Sequence, residues 1–562
     1  MFLGLAAISA LSPATGPVVW QDLAPVLGIQ GEPTDPGSGI GGGVALLDAD
    51  GDGSLDIVVA TPLEGHRLIR QTASGFALDD GALPIGQLAG ETAGVVTIDL
   101  ERDGDLDLLI LREGPELLLR NDAGVFTDVS ASHWPLDGYW TVSAAVGDVD
   151  GDGDDDVVTA NYISGQAFPA HYGSPNRLLL NDGSGHFDDV APVAGMAGDG
   201  CSLSVLLADL DEDGDLDLLE VNDFGQFSGP DRAWRNDGLG ADGIPRFTDT
   251  TALWNLGDRL YGMGAAAADY DGDQRLDLAL TSIGRSLIKR GRADGTFEDV
   301  TDALGASVPW GRVGYQATWH PLFFDFDADG WLDLFETGGH VKAVPFLLND
   351  DWMPNVLLRG GADGTFSPDP TSVAVESPAE GNARGIGLGD LDGDGAPELV
   401  IAHANGLVSL LKRQGALPAP LKVVPRPTVT GPSAAGFDLV ATCGTATRRF
   451  VLAGGGGFAS QGGETALWVT LPGCAPGAAV ALRATWPSGY VTNAAAAMGE
   501  TMVLTEPKWL QVTATSVIIA PTNVDGAAVL EPGLVQVTTS VGSVGPLSTG
   551  ATGLEATVAL GD

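Results

Sequence analysis

Positive charge is scarce in this chain. Lysine and arginine together number 27 of 562 residues against 75 aspartates and glutamates, which leaves a formal net charge of −48 at pH 7. Phosphate backbones are gripped by clustered Lys and Arg, so this balance argues against nucleic acid as a partner. Cysteine occurs only three times, as Cys201, Cys443 and Cys474. That is neither a disulfide scaffold nor a zinc pattern. Cys443 and Cys474 share one late segment and can pair, a point the sequence leaves open; Cys201 would then stay free. No interior stretch approaches ~18 uninterrupted apolar residues, so no membrane span is expected. Sustained helical periodicity is missing from the first 415 residues. Catalytic motifs are missing as well. His66, His133, His171, His186, His320, His340 and His403 are scattered singly, with no His-Glu-x-x-His spacing and no Gly-x-Ser-x-Gly elbow.

What the chain has in abundance is one acidic phrase, Asp-x-Asp-x-Asp-Gly-x-x-Asp, written seven times, with starts at residues 48, 99, 148, 209, 269, 325 and 390. The spacing between starts runs from 49 to 65 residues, a period that signals stacked supersecondary units. Closely spaced carboxylates on a tight loop form a site for a hard cation. Side chains at the first, third, fifth and ninth positions can converge on one ion, and the seventh position can add its backbone carbonyl. The glycine at the sixth position permits the sharp turn.

The candidate ligands follow from that frame. The first loop offers Asp48, Asp50, Asp52 and Asp56 with the carbonyl of Ser54. The second offers Asp99, Glu101, Asp103 and Asp107 with Asp105. The third offers Asp148, Asp150, Asp152 and Asp156 with Asp154. The fourth offers Asp209, Asp211, Asp213 and Asp217 with Asp215. The fifth offers Asp269, Asp271, Asp273 and Asp277 with Arg275. The sixth offers Asp325, Asp327, Asp329 and Asp333 with Trp331. The seventh offers Asp390, Asp392, Asp394 and Glu398 with Ala396. Oxygen ligands without His or Cys select Ca²⁺ over transition metals, so up to seven calcium sites are expected. An EF-hand needs flanking helices and a Glu at the twelfth position, where the first three copies carry Val59, Ile110 and Thr159. That reading is rejected. The fifth loop is expected to be the weakest, because Gln274 replaces the turn glycine and Arg275 adds positive charge.

Each repeat reads as four short strands. In the third, Ser143-Ala-Ala-Val-Gly runs into the acidic loop, Asp156-Val-Val-Thr-Ala leaves it, and Arg177-Leu-Leu-Leu-Asn and Phe187-Asp-Asp-Val follow around an Asn-Asp-Gly turn. Four-stranded repeats of this length predict an all-β fold, a seven-bladed β-propeller. The closing strand recurs as Phe126-Thr-Asp-Val, Phe187-Asp-Asp-Val, Phe247-Thr-Asp-Thr, Phe297-Glu-Asp-Val, Phe366-Ser-Pro-Asp and a degenerate Phe76-Ala-Leu-Asp. The seventh repeat lacks one. Trp20-Gln-Asp-Leu-Ala-Pro-Val-Leu-Gly-Ile29 lines up with Phe187-Asp-Asp-Val-Ala-Pro-Val-Ala-Gly-Met196, so an N-terminal strand is expected to complete the last blade and leave no open edge.

With Asn181-Asp-Gly-Ser-Gly-His-Phe-Asp-Asp-Val190, Gly338-Gly-His-Val341 and Ala383-Arg-Gly-Ile-Gly-Leu-Gly-Asp390 on the page, residues about 20 to 415 resemble the FG-GAP/VCBS repeats of the integrin α-chain propeller family, and most of all its secreted acidic members. The resemblance implies calcium in the loops. Arg448-Arg-Phe-Val-Leu-Ala-Gly-Gly-Gly-Gly-Phe458 and Trp486-Pro-Ser-Gly489 resemble the ASPIC/UnbV module that follows such propellers. Residues 509–562 look like an invasin-type immunoglobulin-like domain, short for its class.

The expected organisation is a signal segment over 1–16, a propeller over 17–415, an ASPIC/UnbV-like β domain over 422–507 and the immunoglobulin-like segment, the last two small and β-sandwich-like. The signal reading rests on the apolar Met1–Leu11 run and the small residues after it, although a basic lead-in is missing. Aromatics gather in the connections on the face opposite the acidic loops: Tyr139, Trp140, Tyr162, Phe168, His171, Tyr172, Phe224, Phe227, Tyr261, Tyr315, Trp319, His320 and Trp352, with Arg312 and Arg384. Exposed there, they would bind a protein or glycan ligand; packed there, they would fill the narrow end of the ring. The expected function is binding or adhesion by a secreted or cell-surface protein with structural calcium and no catalysis. The alternatives are a propeller lyase or hydrolase acting on carbohydrate at that face, and a surface display protein with the C-terminal segment in a stalk.

Overall fold

In the computed structural model, residues 19–27 and 40–507 are described, except 63–64, 80, 85–90, 136–137, 164–172, 197, 199, 308–315, 342–352, 370–381, 415–416 and 462; beyond 511 only four short strands are described. The expected signal segment therefore lies outside the described residues, as do Phe168, His171, Tyr172, Arg312, Tyr315 and Trp352.

Seven sheets among the described residues share one plan of four antiparallel strands, joined in sequence order in the first six blades. The first blade runs Gly43–Leu47, Asp56–Thr61, Gly65–Thr72, Gly75–Asp79. Its acidic phrase bridges the first and second strands, and every later blade repeats that placement. The first strand of each blade lies against the first strand of the next, and Ala383–Gly389 of the seventh lies against Gly43–Leu47 of the first. The ring is closed: the fold is a seven-bladed β-propeller.

Closure is made by the N-terminal strand. Val19–Asp22 pairs antiparallel with Val408–Gln414, from Val19 opposite Gln414 to Asp22 opposite Leu411. Trp20 is 3% exposed and packs edge-on against Phe326, with ring centroids 5.2 Å apart. It fills the place that the buried Phe126, Phe187, Phe247, Phe297 and Phe366 hold in their own blades. The helical turn Ala24–Leu27 matches Ala191–Ala194 after Phe187, as the alignment requires.

Residues 421–505 form a smaller β module within the same compact unit as the propeller. One sheet joins Leu467–Val469, Leu421–Arg426 and Thr501–Thr505; the other joins Ala446–Val451, Asp438–Cys443, Ala479–Thr485 and Val491–Ala497. Val480, Leu482 and Ala484 alternate inward from the third of these strands, the period-two pattern of a half-buried strand. Phe437 and Trp486 meet in the module core at 4.7 Å. Cys443 and Cys474 form a disulfide, and Cys201 is a free, buried thiol.

The glycine run of this module enters the ring. Gly454 and Gly455 pair with Leu207 and Leu206 of the fourth blade, and Ser460 and Gln461 pair with Val95 and Val96 of the second. The Gly456 N–H donates to the Val205 carbonyl and its own carbonyl accepts from the Ala265 N–H, both at 2.7 Å. Only glycine can come this close. A Cβ at Gly454 would sit 2.4 Å from the Val146 carbonyl oxygen, and one at Gly457 would sit 1.9 Å from the His320 ring. Phe458, at the tip, is completely buried.

The final residues, 506–562, form a separate unit in which Val512–Thr513 pairs with Thr557–Val558 and Leu534–Gln536 with Pro546–Ser548.

Candidate metal centres

The sequence of each acidic loop dictates a web of backbone bonds. The first carboxylate caps the loop's own amides: Asp48 accepts from Asp52 N at 3.0 Å and Gly53 N at 2.8 Å. Asp209 does the same with Asp213 N and Gly214 N. The fifth carboxylate accepts from the seventh N–H, as Asp52 does from Ser54 N and Asp329 from Trp331 N, both at 2.8 Å. The sixth residue has positive φ throughout, from Gly53 at 88° to Gly395 at 85°, and Gln274 is forced into the same region at 69°.

Sequence reasoning missed two features. The fourth residue is also left-handed: Gly51 at 75°, Arg102 at 59°, Glu212 at 65° and Ala328 at 61°. Glycine at that position in the first, third, fifth and seventh copies is the signal that could have revealed it. The ninth carboxylate is a staple as well as a candidate ligand. Asp107 accepts from Leu100 N at 2.8 Å and from Asn121 N, on the third strand, at 2.6 Å. Asp156, Asp217, Asp277 and Asp333 repeat the pair of bonds. Each carboxylate oxygen has a second lone pair, so stapling leaves capacity for an ion.

The side chains converge. Ligand oxygens of Asp48, Asp50 and Asp52 lie within 4.8 Å of one another, as do those of Asp148, Asp150 and Asp156, of Asp209, Asp211 and Asp213, of Asp269, Asp271 and Asp273, and of Asp325, Asp327 and Asp333. Burial pushes the carboxyls of Asp107, Asp217 and Asp333 up to about 8 and that of Asp277 to about 9, against the backbone bonds that favour the anion. Neighbouring carboxylates push in the same direction. The donor set is all hard oxygen, and Asp211 Oδ1 is buried with no hydrogen-bond partner. A divalent oxygen-seeking cation fits these loops. The fifth loop carries its expected handicap in visible form: Arg275 is ion-paired with Asp273.

The module sits on the same side as these loops. Ser433 donates to Asp155 through its N–H at 2.8 Å and its hydroxyl at 2.7 Å. Arg449 Nη1 donates to Glu212 at 2.6 Å and to the Gln274 carbonyl at 2.9 Å. The Arg448 guanidinium lies 4.1 Å from the centre of the Trp331 ring.

On the opposite face the described rings other than Phe227 are packed rather than exposed, and three residues lie elsewhere than expected. Trp319 and His320 belong to the innermost strand Thr318–Phe324 and Arg384 to Ala383–Gly389, not to surface connections. All three are buried, because innermost strands face the plugged channel. Tyr162 and Phe224 are buried in a chain of rings with the half-buried Trp140 and Tyr261, at centroid distances of 5.5, 6.3 and 6.0 Å. Among the described residues of this group, Phe227 alone is largely exposed, at 59%.

The FG-GAP-like repeat profile matches residues 48–110, 99–159, 166–220 and 269–336, so FG-GAP-like repeats are found in a large part of the propeller. It is similar to cartilage acidic protein 1. The mouse protein is 25% identical over 496 residues, 82% of this chain and 72% of that protein. The Xenopus tropicalis protein is 30% identical over 201 residues, 33% of this chain and 28% of that protein. Among solved structures, the rhamnogalacturonan lyase YesW is 15% identical and superposes over 66% of this chain and 71% of its own, with a TM-score of 0.35.

Proposed function

We propose that this chain is a secreted or cell-surface calcium-binding propeller protein that acts in binding or adhesion, with calcium in a structural role. The observation that carries the reading is the recurrence of one oxygen-rich loop, whose carboxylates converge in blade after blade. When bound, calcium supplies the positive charge that lets these carboxylates stay ionised while partly buried. Asp48, Asp50, Asp52 and Asp56, and their counterparts in the second to sixth loops, would hold it. The Cys443–Cys474 disulfide supports an oxidising compartment. The ligand, a protein or a glycan, is assigned to the face opposite the loops, where Phe227 stands exposed and its N–H donates to the carbonyl of the buried Phe224.

The test is a glycan and protein binding screen of the full chain with millimolar Ca²⁺ and with chelator, alongside a calcium count by native mass spectrometry. Bound calcium, with a captured ligand lost in Phe227→Ala, is the expected result. A chain that takes up no calcium sinks the reading.

A further inference from the structure

The seventh acidic loop does not fit a calcium ion as the others do. Lys412 Nζ lies 2.7 Å from Asp392, 2.8 Å from Asp394 and 2.9 Å from Glu398. These are the third, fifth and ninth ligand positions. An ammonium has three N–H donors, and all three are spent on the loop. Lys422 Nζ adds a second positive charge, 3.6 Å from the first ligand, Asp390, and 2.6 Å from Glu464.

Register shows how unusual this is. Leu411 pairs with Leu399 on the strand leaving the loop, and Lys412 comes next. The same register position carries Arg70, Arg120, Arg235, Arg290 and Arg359 in other blades, and Leu180 in the third. Those arginines touch the loop at its rim and reach elsewhere. Arg70 lies 3.1 Å from Asp50 but also bonds Asp79 and the Gly124 carbonyl. Arg290 lies 2.9 Å from Asp271 and bonds the Tyr270 hydroxyl. A planar guanidinium is too broad to sit among three convergent carboxylates, whereas an ammonium is a compact point charge. The seventh loop also departs in its ninth residue, a glutamate preceded by Pro397. One Glu398 oxygen keeps the staple to Leu391 N at 2.9 Å, but the other goes to Lys412 where the other blades bond a backbone N–H of the third strand.

We infer that the Lys412 ammonium is the resident cation of the seventh loop and excludes calcium from it, so that the propeller takes up at most six ions. Calcium within reach of Asp392 and Glu398 would sit against a positive charge that has nowhere to retreat, since the Lys412 side chain is only 11% exposed. Two buried oxygens of this loop, Asp390 Oδ1 and Asp392 Oδ1, accept no hydrogen bond. The adjacent ammoniums compensate their charge.

The inference rests on calcium binding by the other loops, and its test separates the two. Native mass spectrometry of the full chain in saturating Ca²⁺ counts ions in the wild type, in Lys412→Met and in Lys412→Gln. A gain of one ion in the lysine variants over the wild type supports it; an unchanged count, or seven ions in the wild type, overturns it. A wild-type count of zero is the separate failure of the calcium reading. Where the lysine variants do not fold, the pair Asp392→Asn with Asp394→Asn in the presence of Lys412 decides. An unchanged count supports the lysine lock, provided that Asp150→Asn with Asp152→Asn in the third loop loses one ion. Loss of an ion from the seventh-loop pair overturns it.

Discussion

Phe458 of the C-terminal module meets Trp319 of the sixth blade edge-on, with ring centroids 4.6 Å apart and both side chains fully buried. Removing the smaller ring leaves a cavity lined by neighbours that cannot collapse. Phe458→Ala is therefore expected to cost about 3–5 kcal/mol. Denaturant unfolding followed by tryptophan fluorescence checks this; a loss below about 1 kcal/mol would mean the tip of the glycine run is not held.

His320 touches the same run. Its Nδ1 accepts from Ile386 N at 3.2 Å and the ring also bonds the Phe458 backbone, an arrangement that needs the neutral imidazole. Burial lowers its pKa from 6.5 to about 4. Between those values the unfolded chain takes up a proton that the folded protein refuses, so stability is intact above 6.5 and declines as pH falls toward 4. Melting temperatures at fixed calcium should fall across that window, and less steeply in His320→Gln. Parallel curves for the two proteins would show that this imidazole does not carry the effect.

Calcium itself should raise the melting temperature. Each site held at tenfold its Kd adds about 1.4 kcal/mol if the unfolded chain does not bind. Extracellular sites of this kind have Kd values near 10⁻⁴–10⁻³ M, on the order of magnitude known for such modules. Thermal melts in chelator and in several millimolar Ca²⁺ should differ by several degrees, and superimposable curves contradict a structural role.

Trp20 anchors the strand that completes the last blade. Trp20→Ala is expected to cost about 3–5 kcal/mol, as for other buried aromatic rings. Deletion of residues 17–29 should also bare the edge of Val408–Gln414 and promote association. Sedimentation and thermal melting of both variants check it; a monodisperse deletion variant of wild-type stability refutes the strap.

Gln274 at φ 69° pays a steric penalty that glycine avoids. Gln274→Gly should tighten calcium at the fifth loop, and Gly153→Gln should weaken it at the third. Site-resolved occupancy at limiting Ca²⁺ is the measurement. A fifth loop that fills before the third in the wild type shows that the turn residue does not set the order.

The propeller was legible because it is written many times over. Repeated strands, turns and closing phenylalanines reinforce one another, and the match between Trp20 and Phe187 located a pairing across almost four hundred residues. The carboxylate positions were legible for the same reason. What escaped was whatever depends on partners distant in sequence. Lys412 lies 14 residues beyond Glu398 on another strand, and nothing in its surroundings marks its ammonium as turned into the loop. Trp319, His320 and Arg384 read as surface connections because period-two patterning cannot tell an innermost strand facing an open channel from one facing a plug. The glycine run suggested a module, but its entry into the ring depends on carbonyls of blades far away in the chain.

The strap that closes the ring has a consequence for how the molecule is made. Asp22 Oδ1 accepts from the Leu410 N–H at 3.0 Å, across 388 residues of chain. Synthesis delivers the first strand long before its partner. At about 5–20 residues per second, tens of seconds separate the two. Through that interval the first strand has no partner strand to pair with, and the ring cannot close. Closure is the slowest kind of contact to make, because the loop entropy of the whole ring must be met before any of its bonds repay it.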